Sequence, residues 1–583
     1  MGSLSVAVII FHINCVNKAA QISRTGHVQL CEQVLHLFRA ANTMNTRNAT
    51  HKGPFSPTRK ENEVNSMEQK KTADLFNDSL GPVMCGPSSS HTGGPARIGR
   101  LAHDLCGGSF QKVVIQFCKN TSYAKDCRSM GSDKGLYGGL MGWAPDHKDL
   151  YDAVDIASQK GRDITIEVIE EQASHSNAIW FDCVTLEGFH LTAKMTSIGG
   201  ASIEITEIDG LKVLLLGGRY ELVVWGDEHA RKRAEQYAGR ASDFFDERLS
   251  VLSLGAPVDI AEIRRMEGVE YAALLRPVLP CVTTDEQTVL FSSAAGLLDW
   301  LEENPMDLAS AAFAYQQAVS GWDRARIYAH AKTLLHAMLD SIDSGLKGDE
   351  RGFFCLRPVS SKMKALMDDK KLIPMGVIER ASVYAQAVIE ANMAMHRLVA
   401  APTGGSAGVI PGAVLSCAQE GGSSEEKTID SLMVAALIGS FIFTNATFSG
   451  FYGGCSAEIG SAAGMSAAAV AYLYGADTKT CLKAAGLAIQ NLIGLACDTL
   501  PSGVEVPCIH RNAMGSAVAI LSANMAMSGV DPYLPLDESI QASYRYSTCR
   551  SPFEEDSRGA GISISPTARR VSEEMQNARA NAY

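Results

Sequence analysis

The sequence predicts a multidomain protein in which an α+β N-terminal domain is followed by an all-α C-terminal domain. At 583 residues the chain is too long for a single hydrophobic core. Short apolar runs typical of β-strands are concentrated between residues 110 and 225. Beyond about residue 285, apolar residues recur instead at helical spacing. With 46% hydrophobic and 20% charged residues, the composition is that of an ordinary globular protein.

The first strand-rich region predicts an α+β domain over residues 67–250. Helix-like segments at 95–105 and 148–160 interrupt the strands, and Gly217-Gly218 marks a turn between the last two of them. A small regulatory module near residues 200–225 is an open alternative, although no ligand signature accompanies it. The apolar runs are Val113–Phe117, Ile164–Val168, Ile203–Ile205, Val213–Leu216 and Leu222–Trp225.

The second half predicts a helical domain over residues 285–575, after a connector at 251–284. Residues 323–344 place their apolar side chains on one helical face, and Gly345 follows as a C-terminal stop. Residues 431–456 carry no charge and are long enough to cross a bilayer. The alternative is a buried helix of a large helical domain, which we favour, so no membrane is expected. Similar helical patterns lie at 363–372, 377–399, 431–443 and 457–474.

Residues 1–66 differ in composition from the rest of the chain. Residues 1–60 contain one acidic residue, Glu32, and seven Lys or Arg, a composition that resembles a mitochondrial targeting segment. A disordered extension, or translation that starts at Met67, is the alternative. We expect a cytoplasmic protein, or a mitochondrial one if the leader is genuine.

The net charge and the cysteine content argue against two classes of protein, nucleic-acid-binding proteins and disulfide-rich proteins. The net charge of −12 leaves no basic surplus to neutralise phosphates, so no nucleic acid is expected as a partner. The 15 cysteines are irregularly spaced in a long chain, which favours reduced thiols in a reducing compartment. Such thiols remain available to bind metal.

Three cysteines of the helical half lie in segments bounded by Gly or Pro. They are Cys455 in Gly453-Gly-Cys-Ser-Ala-Glu-Ile-Gly, Cys497 in Gly494-Leu-Ala-Cys-Asp, and Cys508 in Val506-Pro-Cys-Ile-His-Arg-Asn. By spacing alone, buried inert thiols are the alternative to metal ligands. Asp498 and Arg511 would orient such ligands, or would simply form an ion pair.

Two further strings carry polar side chains suited to a small substrate. In Gly86-Pro-Ser-Ser-Ser-His-Thr, His91 is an acid–base candidate beside three hydroxyls, and the alternative is a cap for the following helix. In Ala401-Pro-Thr-Gly-Gly-Ser-Ala-Gly, the loop would offer backbone N–H groups to a carboxylate, or would let two helices pack closely.

Together these strings resemble the iron–sulfur-dependent L-serine dehydratases (L-serine ammonia-lyases), in the single-chain form with a β-type domain fused ahead of an α-type domain. The resemblance covers about residues 67–570 and implies a lyase that converts L-serine to pyruvate and ammonia. It implies a small amino acid as substrate and a homodimer as the assembly. One iron of a cluster held by three thiolates keeps an open site that polarises the substrate hydroxyl.

The resemblance also assigns the site residues by their positions in these strings. His91, Ser89 and Ser90 would be catalytic. Ser88, Thr403, Gly404, Gly405, Ser406 and Asn392 would bind substrate. A [4Fe-4S] cluster would be bound by Cys455, Cys497 and Cys508.

Several positions depart from the family pattern. Met130 replaces a histidine, His396 and His510 stand where Gly and Glu are usual, and a glycine-rich motif is reduced to Arg357–Lys362. These changes leave open a lyase that acts on a modified or different β-substituted amino acid. A non-catalytic iron–sulfur sensor is an alternative of another class, and a pyridoxal-phosphate enzyme is less favoured.

Overall fold

A computed structural model describes residues 73–237, 244–283, 288–500, 503–548 and 561–580. The expected leader at 1–66 lies outside these described residues. Within them, an N-terminal half containing two β-sheets is followed by a mostly helical half, so the predicted fold class is confirmed.

The first sheet of the N-terminal half has six strands in the order β3-β2-β4-β5-β6-β7. Its β2–β3 pair is parallel, and the other neighbouring pairs are antiparallel. Alternate side chains of these strands are buried, which is the period-two pattern that the sequence predicts. The strands are β2 Phe110–Cys118, β3 Ile164–Ile169, β4 Ala178–Thr185, β5 His190–Gly199, β6 Ser202–Ile208 and β7 Leu211–Leu215.

Four helices accompany the first sheet, and the pair α1 and α3 packs closely. Gly99 and Gly135 allow this approach, because a Cβ at either position would lie 2.5 Å from a backbone oxygen of the opposite segment. This close packing places the turn that precedes α1 against the residues that precede α3. The helices are α1 Gly94–Leu105, α2 Ser122–Asp126, α3 Ser132–Leu140 and α4 Ala153–Gln159.

The second sheet forms a βαββαβ unit, with antiparallel strand pairs in the order β11-β8-β10-β9. The expected connector at 251–284 therefore contains a helix and strand of this unit, because its apolar residues pack in the unit's own core. The elements are β8 Tyr220–Gly226, α5 Glu228–Ala234, β9 Phe244–Phe245, β10 Leu249–Leu254, α6 Ile260–Arg264 and β11 Val269–Leu275.

Several helices of the helical half begin at a capping side chain. Each of these side chains accepts a hydrogen bond from a backbone N–H of the first turn, as at Asp307, Asp323, Ser424 and Asp477. The helices are α7 Ala294–Glu303, α8 Leu308–Ser320, α9 Arg324–Gly345, α10 Ser360–Asp368, α11 Val377–Met393, α12 Ser416–Glu420, α13 Glu425–Asn445, α14 Gly450–Cys455, α15 Ser461–Leu473, α16 Thr478–Gln490, α17 Cys508–Met527, α18 Leu536–Thr548 and α19 Pro566–Ala580.

One helix of the described ranges, α13, is apolar and long enough to cross a membrane. In this fold 78% of its most apolar window is buried inside the protein. Helix α13 contacts α8, α9, α15 and α18, which is the environment of a core helix.

The N-terminal residues of the described chain pack into the helical half rather than against the first sheet. Leu75, Phe76 and Leu80 are fully buried in the helical core, and β1 (Val83–Cys85) pairs with β12 (Arg397–Val399). The predicted helix over 377–399 accordingly ends at Met393. This pairing brings the Gly86 string to the 401–408 loop.

One cysteine pair departs from the expectation of reduced thiols. Cys106, which follows α1, and Cys183 in β4 form a disulfide within the core where α1 covers the sheet. The expectation was wrong for this pair. Ten other cysteines of the described chain form no disulfide, including Cys455, Cys497 and Cys508.

Candidate active site at the junction of the two halves

The serine-rich string forms a π-helical turn, Ser89–Gly93, that leads directly into α1. Ser88 caps this turn, because its hydroxyl accepts the backbone N–H of His91 at 3.2 Å. The capping role considered from the sequence is therefore present. It involves Ser88 and leaves the His91 side chain available for other contacts.

His91 is held through both ring nitrogens. Its Nδ1 lies 3.0 Å from Ser90 Oγ, and its Nε2 lies 3.0 Å from Ser122 Oγ. The Ser122 hydroxyl is 2.6 Å from Asn177 Oδ1, an acceptor, so its hydrogen is directed there. This network favours the tautomer in which Nε2 carries the proton and Nδ1 accepts from Ser90.

Aromatic packing fixes the same imidazole from another side. The Tyr123 ring lies edge-on to His91 with centroids 5.1 Å apart, and its hydroxyl donates to the Ser90 carbonyl at 2.7 Å. Ser122, Tyr123 and Asn177 were not predicted as neighbours of His91. They lie on α2 and before β4, so only the folded sheet reveals their proximity.

The 403–408 loop begins with a one-turn 3₁₀ helix, Gly404–Ser406, capped by Thr403. Asn392 joins this loop to the serine-rich string, because its Nδ2 donates to Pro87 O at 2.7 Å and to Gly404 O at 3.1 Å. A Cβ at Gly404 would lie 2.9 Å from Ser89 N. The structure therefore brings together the predicted catalytic and substrate-binding strings.

Two side chains from the cysteine segments hold this loop. Asn512, in α17, donates to Gly405 O at 2.7 Å and accepts from Gly408 N at 2.9 Å. Glu458, in the π-helical turn after Cys455, accepts the Thr403 hydroxyl at 2.7 Å. Desolvation of its carboxyl group by the surrounding protein raises the pKa of Glu458. Neither residue was predicted as a site residue, although both lie in the strings quoted for the cysteines.

The three cysteines lie at helix ends or between helices. Cys455 ends α14, Cys508 begins α17, and Cys497 lies in the segment between α16 and α17. Gly454 brings these segments together with a backbone conformation of φ +62° and ψ −162°. A Cβ at Gly454 would lie 2.6 Å from Leu495 O and 3.0 Å from Cys497 N.

Cys455 and Cys508 form a polarised pair of buried thiols. The pKa of Cys455 is lowered, chiefly by a hydrogen bond with the Cys508 thiol and also by the neighbouring Arg511 cation. The same hydrogen bond and burial raise the pKa of Cys508, and Cys497 lies close enough to raise it further. Of the two thiols, that of Cys455 therefore ionises more readily.

Arg511 links all of these segments. Its Nη1 donates to Cys455 Sγ at 3.1 Å and to Ala496 O at 2.7 Å, and its Nη2 lies 3.0 Å from Asp498 Oδ1. The ion pair considered from the sequence is present, and Arg511 also contacts one of the three cysteines. Asp498 in turn accepts the backbone N–H of Ile562 at 3.0 Å.

The donor set suits a metal that prefers sulfur. In the described ranges, no group of three or more His, Cys, Asp or Glu side chains is arranged as a ready metal site. Cys455 and Cys508 are nevertheless hydrogen-bonded thiols, Cys497 lies close enough to influence the pKa of Cys508, and the Arg511 cation contacts Cys455. These residues fit an iron–sulfur group better than they fit a hard cation.

The positions that depart from the family pattern fall in different environments. A Cβ at Gly503 would lie 2.5 Å from Met130 Sδ, so Met130 lies at the junction near the Cys508 segment. His396 binds Asp349 at 2.9 Å, whereas the side chain of His510 is exposed. The segment 357–362 is anchored by Glu390, which accepts the backbone N–H of Val359 at 2.8 Å.

A histidine held between hydroxyls, a polar loop and a group of thiols thus meet where an α+β half joins a helical half. Converging polar groups of this kind at a domain junction are typical of an enzyme active site rather than of a structural protein.

Comparison with known proteins identifies the family. The family model described as serine dehydratase alpha chain matches residues 191–552, so the chain belongs to this family. The match begins within β5, ahead of the expected helical domain. The chain is 31% identical over 287 residues to a probable L-serine dehydratase alpha chain of Bacillus subtilis, covering 49% of this chain and 95% of that protein.

Other relatives extend the comparison. Identity to L-serine dehydratase 2 of Escherichia coli is 27% over 496 residues, or 81% of this chain and 95% of that protein. A match of this length includes both halves of the chain, which agrees with the predicted single-chain form. The L-serine dehydratase alpha chain of Peptoniphilus asaccharolyticus is 40% identical over 166 residues, 28% of this chain and 56% of that protein.

Proposed function

We propose that this protein is a [4Fe-4S]-dependent lyase that removes the β-hydroxyl and the amino group of L-serine, giving pyruvate and ammonia. Membership of the serine dehydratase family supports the reaction class. The observation that carries the proposal is that Asn392 joins the serine-rich string to the 403–408 loop, which the Cys455 and Cys508 segments hold in turn.

Cys455, Cys497 and Cys508 would hold the cluster. When bound, the cluster supplies a Lewis-acidic iron that makes the substrate hydroxyl a better leaving group. Arg511 would balance the negative charge of the sulfur ligands, because its guanidinium already contacts Cys455.

The remaining chemistry falls to the chain's own side chains. His91 Nδ1, paired with Ser90, is suited to receive a proton, because Ser122 fixes the proton on Nε2. Ser88 and the Thr403–Ser406 turn would bind the polar groups of the amino acid. The turn is nearly closed to solvent, and exclusion of water strengthens these hydrogen bonds.

Met130 favours a second candidate, a lyase that acts on a different β-substituted amino acid. Its thioether lies at the junction, where the family pattern has a histidine, and it replaces an ionisable group by an apolar one. A substrate with a larger or less polar β-substituent would suit this side chain.

The experiment compares substrates on the iron-loaded enzyme. We expect L-serine to give pyruvate, and His91→Gln to lower kcat by about 10²–10⁴-fold, the usual contribution of an acid–base group. The exposed His229 supplies the control variant, His229→Gln, which should retain full activity. Turnover of another β-substituted amino acid but not L-serine would favour the second candidate. An intact cluster without turnover of any of them would indicate a sensor.

A further inference from the structure

Glu458 lies between the 403–408 loop and the cysteine segments. Its Oε1 accepts the Thr403 hydroxyl at 2.7 Å across 55 residues of sequence. Two glycines make room for the carboxyl group, because a Cβ at Gly405 would lie 3.1 Å from Oε1 and one at Gly450 would lie 2.6 Å from Oε2. A side chain at either glycine would displace Glu458 or the loop.

The backbone of Glu458 belongs to the turn that directly follows Cys455. Glu458 follows Cys455 by three residues, about one helical turn. Its charge partly offsets the lowering of the Cys455 pKa and adds to the rise of the Cys508 pKa. One residue thus contacts the loop through its side chain and continues the segment that carries Cys455. A shift of either segment would therefore be transmitted to the other.

Asn512 provides an informative contrast. It makes the corresponding link from the Cys508 segment, but it is completely buried and binds only backbone groups of the loop. Glu458 retains partial solvent exposure and binds a side-chain hydroxyl. The loop backbone therefore has its own support, and the Glu458 contact is directed at one functional group, the Thr403 hydroxyl.

We propose that Glu458 is a positioning residue that orients the Thr403 hydroxyl for binding of the amino-acid substrate beside the three thiols. This inference rests on the proposed function. With its hydrogen committed to Glu458 and one lone pair accepting the backbone N–H of Ser406, Thr403 Oγ1 has one lone pair left for the substrate. It would therefore accept a hydrogen bond from a donor, and the ammonium group is the strongest donor of an amino acid.

The test is a double-mutant cycle on the iron-loaded enzyme, with KM and kcat measured for L-serine. Thr403→Val and Glu458→Met remove one partner each while preserving volume, and we expect each to raise KM by about tenfold, as for loss of one hydrogen bond. The double variant should raise KM no further than either single variant. Glu458→Gln keeps an acceptor at Oε1 and should hold KM within about threefold of the wild type.

Two measurements separate this role from a structural one. Thermal unfolding and cluster absorbance should be the same in Glu458→Gln and Glu458→Met, while their KM values differ. Equal KM for Gln and Met, or additive effects in the double variant, would overturn the proposal.

Failure of the proposed function has a different signature. If wild-type enzyme neither binds nor converts L-serine, the proposed function fails, and the cycle is then measured with the β-substituted amino acid that is turned over. If wild type converts L-serine and the four variants show no coupling between Glu458 and Thr403, only the positioning role fails.

Discussion

Gly454→Ala should separate the Cys455 and Cys497 segments. Its backbone conformation, φ +62° and ψ −162°, is one that essentially only glycine adopts. The added methyl group would lie 2.6 Å from Leu495 O and 3.0 Å from Cys497 N. Both are backbone atoms, so no side-chain rotation relieves the overlap. We expect the Cys497 segment to move away from Cys455.

The magnitude follows from two contributions. Backbone strain of this kind costs about 1–3 kcal/mol, and overpacking against fixed atoms costs about 1–3 kcal/mol. The free energy of unfolding should therefore fall by about 2–6 kcal/mol. Gly475→Ala is the matched control, because Gly475 has φ +86° and a Cβ there would meet no atom within 4 Å. It should lose only about 1–2 kcal/mol.

The assay is urea unfolding of the iron-free proteins, together with iron content after anaerobic loading. We expect Gly454→Ala to be the less stable variant and to bind less iron, while Gly475→Ala binds as much as the wild type. Equal stability losses in the two variants, or full iron binding by Gly454→Ala, would refute the reasoning.

Three further predictions concern other parts of the junction. The hydrogen bond with Arg351 lowers the pKa of Asp349 from 3.8 to about 2. The stabilisation by this pair is therefore complete above a pH of about 4, and it is lost as the pH falls through about 2. The stability difference between Asp349→Asn and the wild type should thus shrink over that interval in acid titrations, and a constant difference would contradict this. Glu505 accepts the N–H groups of Phe354, Cys355 and Leu356 at 2.7–2.8 Å. Glu505→Ala should lose about 3 kcal/mol in urea unfolding, about 1 kcal/mol for each N–H, whereas the exposed-site control Glu302→Ala should lose almost none. Ser122→Ala should lower kcat for L-serine without lowering iron content, because it removes the partner of His91 Nε2; an unchanged kcat would show that this contact does not support catalysis.

The helical periodicity and strand alternation predicted the order and type of the main elements. Residues 323–344, for example, were predicted as a helix from their apolar spacing and correspond closely to α9. The sequence could not reveal that Leu75 and Phe76 pack into the helical core, because short apolar runs do not specify their partner. The Cys106–Cys183 disulfide was missed for the same reason, since 77 residues separate the two cysteines.

The candidate site was predictable where its residues lie in compact strings. The Ser88–His91 turn, Thr403 and the three cysteines each carry a local pattern, and the structure brings the strings into contact. Ser122 and Glu458 were missed because their roles arise from contacts across 31 and 55 residues. Their chemistry depends on proximity rather than on residue type.

The most direct test of the central claim is anaerobic loading of the full-length protein with iron and sulfide, followed by addition of L-serine. We predict about four irons per chain, as a [4Fe-4S] cluster requires, and formation of pyruvate. Both should be lost in the variants Cys455→Ser, Cys497→Ser and Cys508→Ser, while Cys417→Ser, at a buried free cysteine of α12, should retain both. Pyruvate formation by iron-free protein, or undiminished iron binding in the three site variants, would contradict the account.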